Sequence, residues 1–147
     1  MGQTESASFF DKGVEALQHN HLFLARVCFE QAALGEKTPA VSSYLALCRA
    51  KTRGEYDVAM AMVEEALALE PRNAVHYLNL GRIQLMAGNK PQALDTFRRG
   101  ARFDRSGEIG RELERLGVRK RPVFPFLARS NPLNRYVGLF LARIGLR

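Results

Sequence analysis

Two cysteines, three histidines and a scatter of acids are the residues of this chain that could do chemistry, and their spacing argues against most of it. Cys28 and Cys48 have no Cys-x-x-Cys partner and no cluster of other ligands nearby, so they do not resemble a zinc site and read as buried free thiols. His19 and His21 flank a turn with no further ligands in reach and are expected to be solvated. Glu64 and Glu65 are adjacent, so on a helix they point to different faces and belong on a wet surface. There is no Gly-x-x-x-x-Gly-Lys phosphate loop, no dinucleotide glycine fingerprint, no His-Glu-x-x-His and no nucleophile elbow. The chain is therefore expected to be no enzyme, with no metal and no cofactor.

The elements that would carry a site are written in a repeat. Between Gly13 and Gly107 the sequence recurs every 34 residues. Residues 6–39, 40–73 and 74–107, laid in register, put Gly13, Leu47 and Gly81 at the eighth place of the unit. Ala25, Ala59 and Ala93 fall at the twentieth place, Phe29, Val63 and Phe97 at the twenty-fourth, and Ala32, Ala66 and Gly100 at the twenty-seventh. A small residue beside a bulky one lets two antiparallel helices approach closely while the large side chain of the next turn fills the remaining space.

Small and large residues at these places, with Pro71 closing the second unit, resemble the tetratricopeptide repeat. The third unit matches best, through Tyr77, Leu80, Gly81, Gly88, Asn89, Ala93, Phe97 and Gly100, with Arg105 in place of a terminal proline. The first has His19-Asn20 for its turn and Lys37 where proline is common. In the second, Leu47 stands where a small residue belongs; sliding the unit so that Leu45-Ala46 take those places requires one extra residue before Gly54.

The capping signals agree with that layout. Thr38-Pro39 and Asn73 should start the first helices of units two and three, Gly54 and Gly88 should end them as left-handed caps, and Asn89 should cap the helix that tolerates Pro91 in its first turn. No segment alternates with period two. The expected fold is all-α: an antiparallel helix-turn-helix repeat stack, a right-handed solenoid of six helices, with a capping helix over 108–117 and a basic amphipathic helix at the C-terminus. The corresponding domains are 1–117 and a basic, apolar extension over 118–147.

Composition and charge narrow the partners. With 147 residues and 46% apolar content, the chain can hold one domain with a core plus an appendage. Met1–Ser8 has neither a basic start nor an apolar run, and no stretch is long and apolar enough to span a bilayer, so a cytoplasmic address is expected. Met1-Gly2-Gln3-Thr4-Glu5-Ser6 fits a myristoylation pattern, but that short pattern is common by chance and the chain has a bacterial look. Through Gly117 the basic and acidic residues balance, whereas the last 30 residues hold seven basic residues and no acid, so the net +7 resides there. A milder gradient runs within the repeats, from an acidic 1–70 to a basic 71–117.

That extension is no disordered arm. Its basic surface comprises Arg119, Lys120, Arg121, Arg135 and Arg143, yet Val123-Phe124-Pro125-Phe126-Leu127 is too apolar to prefer water. Asn131-Pro132 opens a helix of about 16 residues, roughly 24 Å long, on which Leu133, Tyr136, Val137, Phe140, Leu141 and Ile144 recur as a stripe at steps of three and four. Phe124, Phe126 and that stripe are expected to dock on protein, in the same chain, a neighbouring copy or a different protein, with an anionic membrane surface as the lesser alternative. Nucleic acid is disfavoured, because the aromatic residues are not interleaved with the basic ones as a stacking platform needs.

The resemblance further implies a concave groove, lined by the first helix of each unit, that holds a peptide or helix of a partner protein. Here it would be lined by Phe10, Val14 and Leu17, then Val41, Tyr44, Leu45 and Cys48, then Leu78, Asn79, Arg82 and Met86. Members of the family that bind chaperone tails hold carboxylates with basic residues and asparagine; Phe10, Val14, Leu45 and Val75 occupy those places in this chain, so no such clamp is expected. The resulting expectation is a non-enzymatic scaffold or adaptor that binds a mostly apolar segment, with Asn79 and Arg82 fixing its polar groups. The alternative is a homo-oligomeric assembly protein whose tail fills its own or a neighbour's groove, or a membrane-peripheral factor.

Overall fold

The computed structural model describes residues 2–117 and Val137. Seven helices account for most of this: α1 (Gln3–Gln18), α2 (Leu22–Gly35), α3 (Pro39–Arg53), α4 (Tyr56–Leu69), α5 (Ala74–Met86), α6 (Lys90–Ala101) and α7 (Glu108–Arg115). No strand occurs among the described residues. The chain divides into two compact units, Met1–Leu113 and Glu114–Arg147. In the first, α1 pairs with α2, α3 with α4 and α5 with α6, while α2 packs on α3, α4 on α5, and α3 on α5. This is an all-α helical repeat stack.

The caps form where their residue types require them. The Thr38 hydroxyl accepts from Val41 N–H at 3.2 Å, Asn73 Oδ1 from Val75 N–H at 3.1 Å, and Asn89 Oδ1 from Gln92 N–H at 3.3 Å. Gly54 and Gly88 turn the chain at φ +67° and +82°. The first unit makes the same left-handed turn with Asn20 at φ +60°, a conformation asparagine tolerates better than most side chains. The α4–α5 junction is tied down by the Tyr77 hydroxyl donating to Pro71 O at 2.8 Å, and by Glu70 accepting from Asn73 Nδ2 and meeting His76 Nε2, each at 2.8 Å.

Close approach within each pair explains the repeated small residues. A Cβ on Gly13 would lie 2.7 Å from the Phe29 ring, one on Gly81 2.3 Å from the Phe97 ring, and one on Gly100 2.3 Å from Tyr77 Cβ. Ala25, Ala59 and Ala93 are fully buried, as are Phe29, Val63 and Phe97. The second unit keeps the register without the extra residue: Ser43, Ala46, Leu47 and Ala50 are buried while Leu45 and Arg49 are half-exposed. Leu47 is admitted at the glycine place because its counterpart is Val63 rather than phenylalanine, and both sit in one core with Ala46, Ala50, Ala59, Leu80 and Ile83.

Helix α7 begins on an aspartate cap that the repeat pattern did not reveal. Asp104 Oδ1 accepts from the Ser106 N–H and hydroxyl and from Gly107 N–H, and Oδ2 accepts from Ile109 N–H at 2.8 Å. Partial burial works to raise the Asp104 pKa, but these bonds outweigh it and hold the carboxyl below its ordinary range. Ile109 is buried and anchors the helix; a Cβ on Gly100 would meet its Cδ1 at 2.9 Å. The docking positions Phe124, Phe126, Leu133, Tyr136, Phe140, Leu141 and Ile144, and the basic Arg119, Lys120, Arg121, Arg135 and Arg143, lie outside the described residues. Val137 is described, and it is helical and half-buried.

Candidate functional site

The first helices carry a band of apolar side chains that the core covers only in part. Phe10, Val14 and Leu17 on α1 and Tyr44 and Leu45 on α3 are half-buried and pack against a core formed by Ala16, Ala25, Phe29 and Cys48. Met86 on α5 is likewise half-buried, against the neighbouring core around Leu80 and Ile83. Three aromatic rings rigidify the band: Tyr44 stacks on Phe29 with centroids 5.3 Å apart, and Phe10 meets both edge-on at 5.6 and 5.8 Å.

Five expectations for this face need correction. Val41, Cys48 and Leu78 are buried, Cys48 in the core it shares with Ala16, Ala25 and Phe29 of α1 and α2. Burial pushes the Cys48 thiol up to about 12, which leaves it a neutral packing group. Asn79 is only 1% exposed, and its Nδ2 donates to the Ser43 hydroxyl at 3.0 Å, joining α5 to α3. It therefore pins the stack and presents nothing to a ligand. Arg82 does reach the face, but its Nε donates to Glu112 at 2.8 Å and its Nη2 lies 3.7 Å from Glu108. The cation expected to hold a ligand is thus held by α7.

That contact was not legible from the repeat, since Glu108 and Glu112 lie after its end; their spacing of four on a helix was the available signal. It also reaches Tyr44. Burial first, and the Glu108 carboxylate second, raise the Tyr44 hydroxyl above its ordinary range, with Arg82 opposing. The face runs from apolar at α1 and α3 to a closed Arg82–Glu108–Glu112 cluster beside α5.

Other chemistry is not assembled among the described residues. Cys28 and Cys48 are free and buried. The rings of His19 and His21 are 6.2 Å apart on an exposed turn, and no group of three or more metal-ligating side chains comes together among the described residues. On the opposite side of the first unit, α2 exposes Phe23, Leu24, Val27 and Leu34. The same repeat places hold Asp57, Val58, Ala61 and Ala68 on α4, and Pro91, Gln92, Asp95 and Arg102 at α6.

The described residues define an α-helical repeat protein whose first helices share a partly open apolar face. The family model for the tetratricopeptide repeat matches residues 50–110. No curated protein matches it. Among solved structures it resembles the first tetratricopeptide repeat domain of Spaghetti (RPAP3) bound to the HSP90 peptide SRMEEVD, with a TM-score of 0.63. The two are 15% identical over 80% of this chain and 96% of that one, a likeness of fold. Among the described residues no helix is long and apolar enough to cross a membrane.

Proposed function

We propose that this chain is a non-enzymatic adaptor, acting in the cytoplasm, that holds a peptide or helix of a partner protein on the face of α1, α3 and α5. The observation that carries this reading is the row of half-buried apolar residues Phe10, Val14, Leu17, Tyr44, Leu45 and Met86, which crosses three successive first helices and is stiffened by the Phe10–Phe29–Tyr44 rings. A rigid apolar strip loses little entropy on binding and gains from the area it covers. The tetratricopeptide-repeat family, whose model matches residues 50–110, consists generally of interaction modules, and the similarly folded Spaghetti domain was solved with a peptide. The repeats would span 6–39, 40–73 and 74–107, with 118–147 as a separate extension.

Selection of random dodecapeptides displayed on phage against the immobilised full chain tests the reading. Tyr44→Ala with Leu45→Ala should weaken the selected peptides at least tenfold with helix content unchanged. Peptides that bind this double variant as tightly as the parent would place the site elsewhere.

A further inference from the structure

A cavity of about 200 Å³ opens between the first half of α1 and the start of α3, lined by Ser6, Ala7, Phe10, Glu36, Thr38 and Val41 among others. Ser6 donates to Ala32 O at 2.8 Å, and the Thr38 hydroxyl oxygen accepts from Val41 N–H, which leaves Thr38 a proton to donate. A ligand therefore meets apolar walls, the Thr38 hydroxyl and one carboxylate, that of Glu36, which makes no ion pair among the described residues. A volume of this size suits one large apolar side chain rather than a whole small molecule.

Glu36 is the one charged residue among those that line the cavity. Lys37, beside Glu36, lines a different cavity with Met62, Glu65 and Leu69. Further along the face, Arg82 is closed off by Glu108 and Glu112. An acidic peptide would have to approach Glu36 at one end and displace two glutamates at the other, and like charges brought together in an interface repel.

Building on the adaptor reading above, we infer that the ligand is a basic, apolar peptide segment: a leucine, methionine or aromatic side chain fills the cavity between Phe10 and Val41, and an adjacent lysine or arginine pairs with Glu36. This is the opposite polarity to the SRMEEVD peptide of the Spaghetti domain.

The test uses the peptides selected on the full chain. Their sequences should be enriched in lysine or arginine next to a large apolar residue. Glu36→Lys should weaken them tenfold or more, and a repeat selection on that variant should turn toward acidic peptides. Ala7→Phe, placed at an exposed position that lines the cavity, should weaken them to a similar extent without loss of helix content. Acidic consensus sequences, or binding indifferent to both substitutions, would overturn the inference. Peptides sensitive to the Tyr44 and Leu45 pair yet indifferent to Glu36 and Ala7 leave the adaptor reading standing and remove this one; peptides insensitive to all four positions remove both.

Discussion

Glycine positions that look alike in sequence differ most in what a single methyl group would meet. At Gly100 an added Cβ would lie 2.3 Å from Tyr77 Cβ, an atom fixed to its own backbone, and 2.9 Å from Ile109 Cδ1. No side-chain rotation relieves the first contact, so α5 and α6 must separate. Gly100→Ala should lower stability by about 1–3 kcal/mol, the usual cost of overpacking. Gly110 is helical, exposed and has nothing within 4 Å of its Cβ position. Gly110→Ala should raise stability by about 0.5–1 kcal/mol through backbone entropy alone. Thermal unfolding followed by circular dichroism reads both, and equal effects at the two sites would contradict the packing of α5 on α6.

The element that most alters the site is α7, a helix of eight residues that cannot stand by itself in water. It is held by the Asp104 cap, the buried Ile109 and the two glutamates on Arg82. Because the Asp104 pKa is lowered in the folded state, its contribution is fully present above the ordinary aspartate value of 3.8 and is lost as pH falls through the lower, folded value. The Gly107 and Ile109 amides should therefore stay protected from hydrogen exchange near neutral pH and lose protection only as pH falls below the ordinary aspartate value of 3.8. Asp104→Asn should remove protection at neutral pH, and wild-type-like protection in that variant would mean that the cap contributes nothing.

For the whole molecule the open quantity is the basic extension. Its apolar positions between Pro122 and Ile144 would bury several hundred Å2 if covered, and at ~25 cal/mol per Å2 that outweighs what a few interfacial arginines supply. We therefore expect protein to cover it, in the same chain or in a second copy, and truncation after Gly117 to lower stability or solubility. The full chain should remain in the supernatant with anionic vesicles at physiological salt. Salt-reversible sedimentation with the vesicles, together with a truncated chain as stable as the parent, would instead make the extension a membrane anchor.

Helix positions, caps and the pairing of small with large residues are legible in the sequence, because each follows from contacts within one 34-residue unit. Gly13 opposite Phe29 and Gly81 opposite Phe97 are local facts of a helical hairpin, and Thr38, Asn73 and Asn89 cap through their own neighbours. What tertiary structure decided are contacts between units. Asn79 and Cys48 fall on the helix face that pattern assigns to a ligand, yet Asn79 is buried against Ser43 of α3 and Cys48 against Ala16, Ala25 and Phe29. Arg82 meets Glu112 across 30 residues, from a helix beyond the repeat, so no periodicity could announce that the groove's cation is already neutralised. Repetition specifies a fold through near neighbours; the electrostatics of its open face depend on whichever side chains non-local packing brings there.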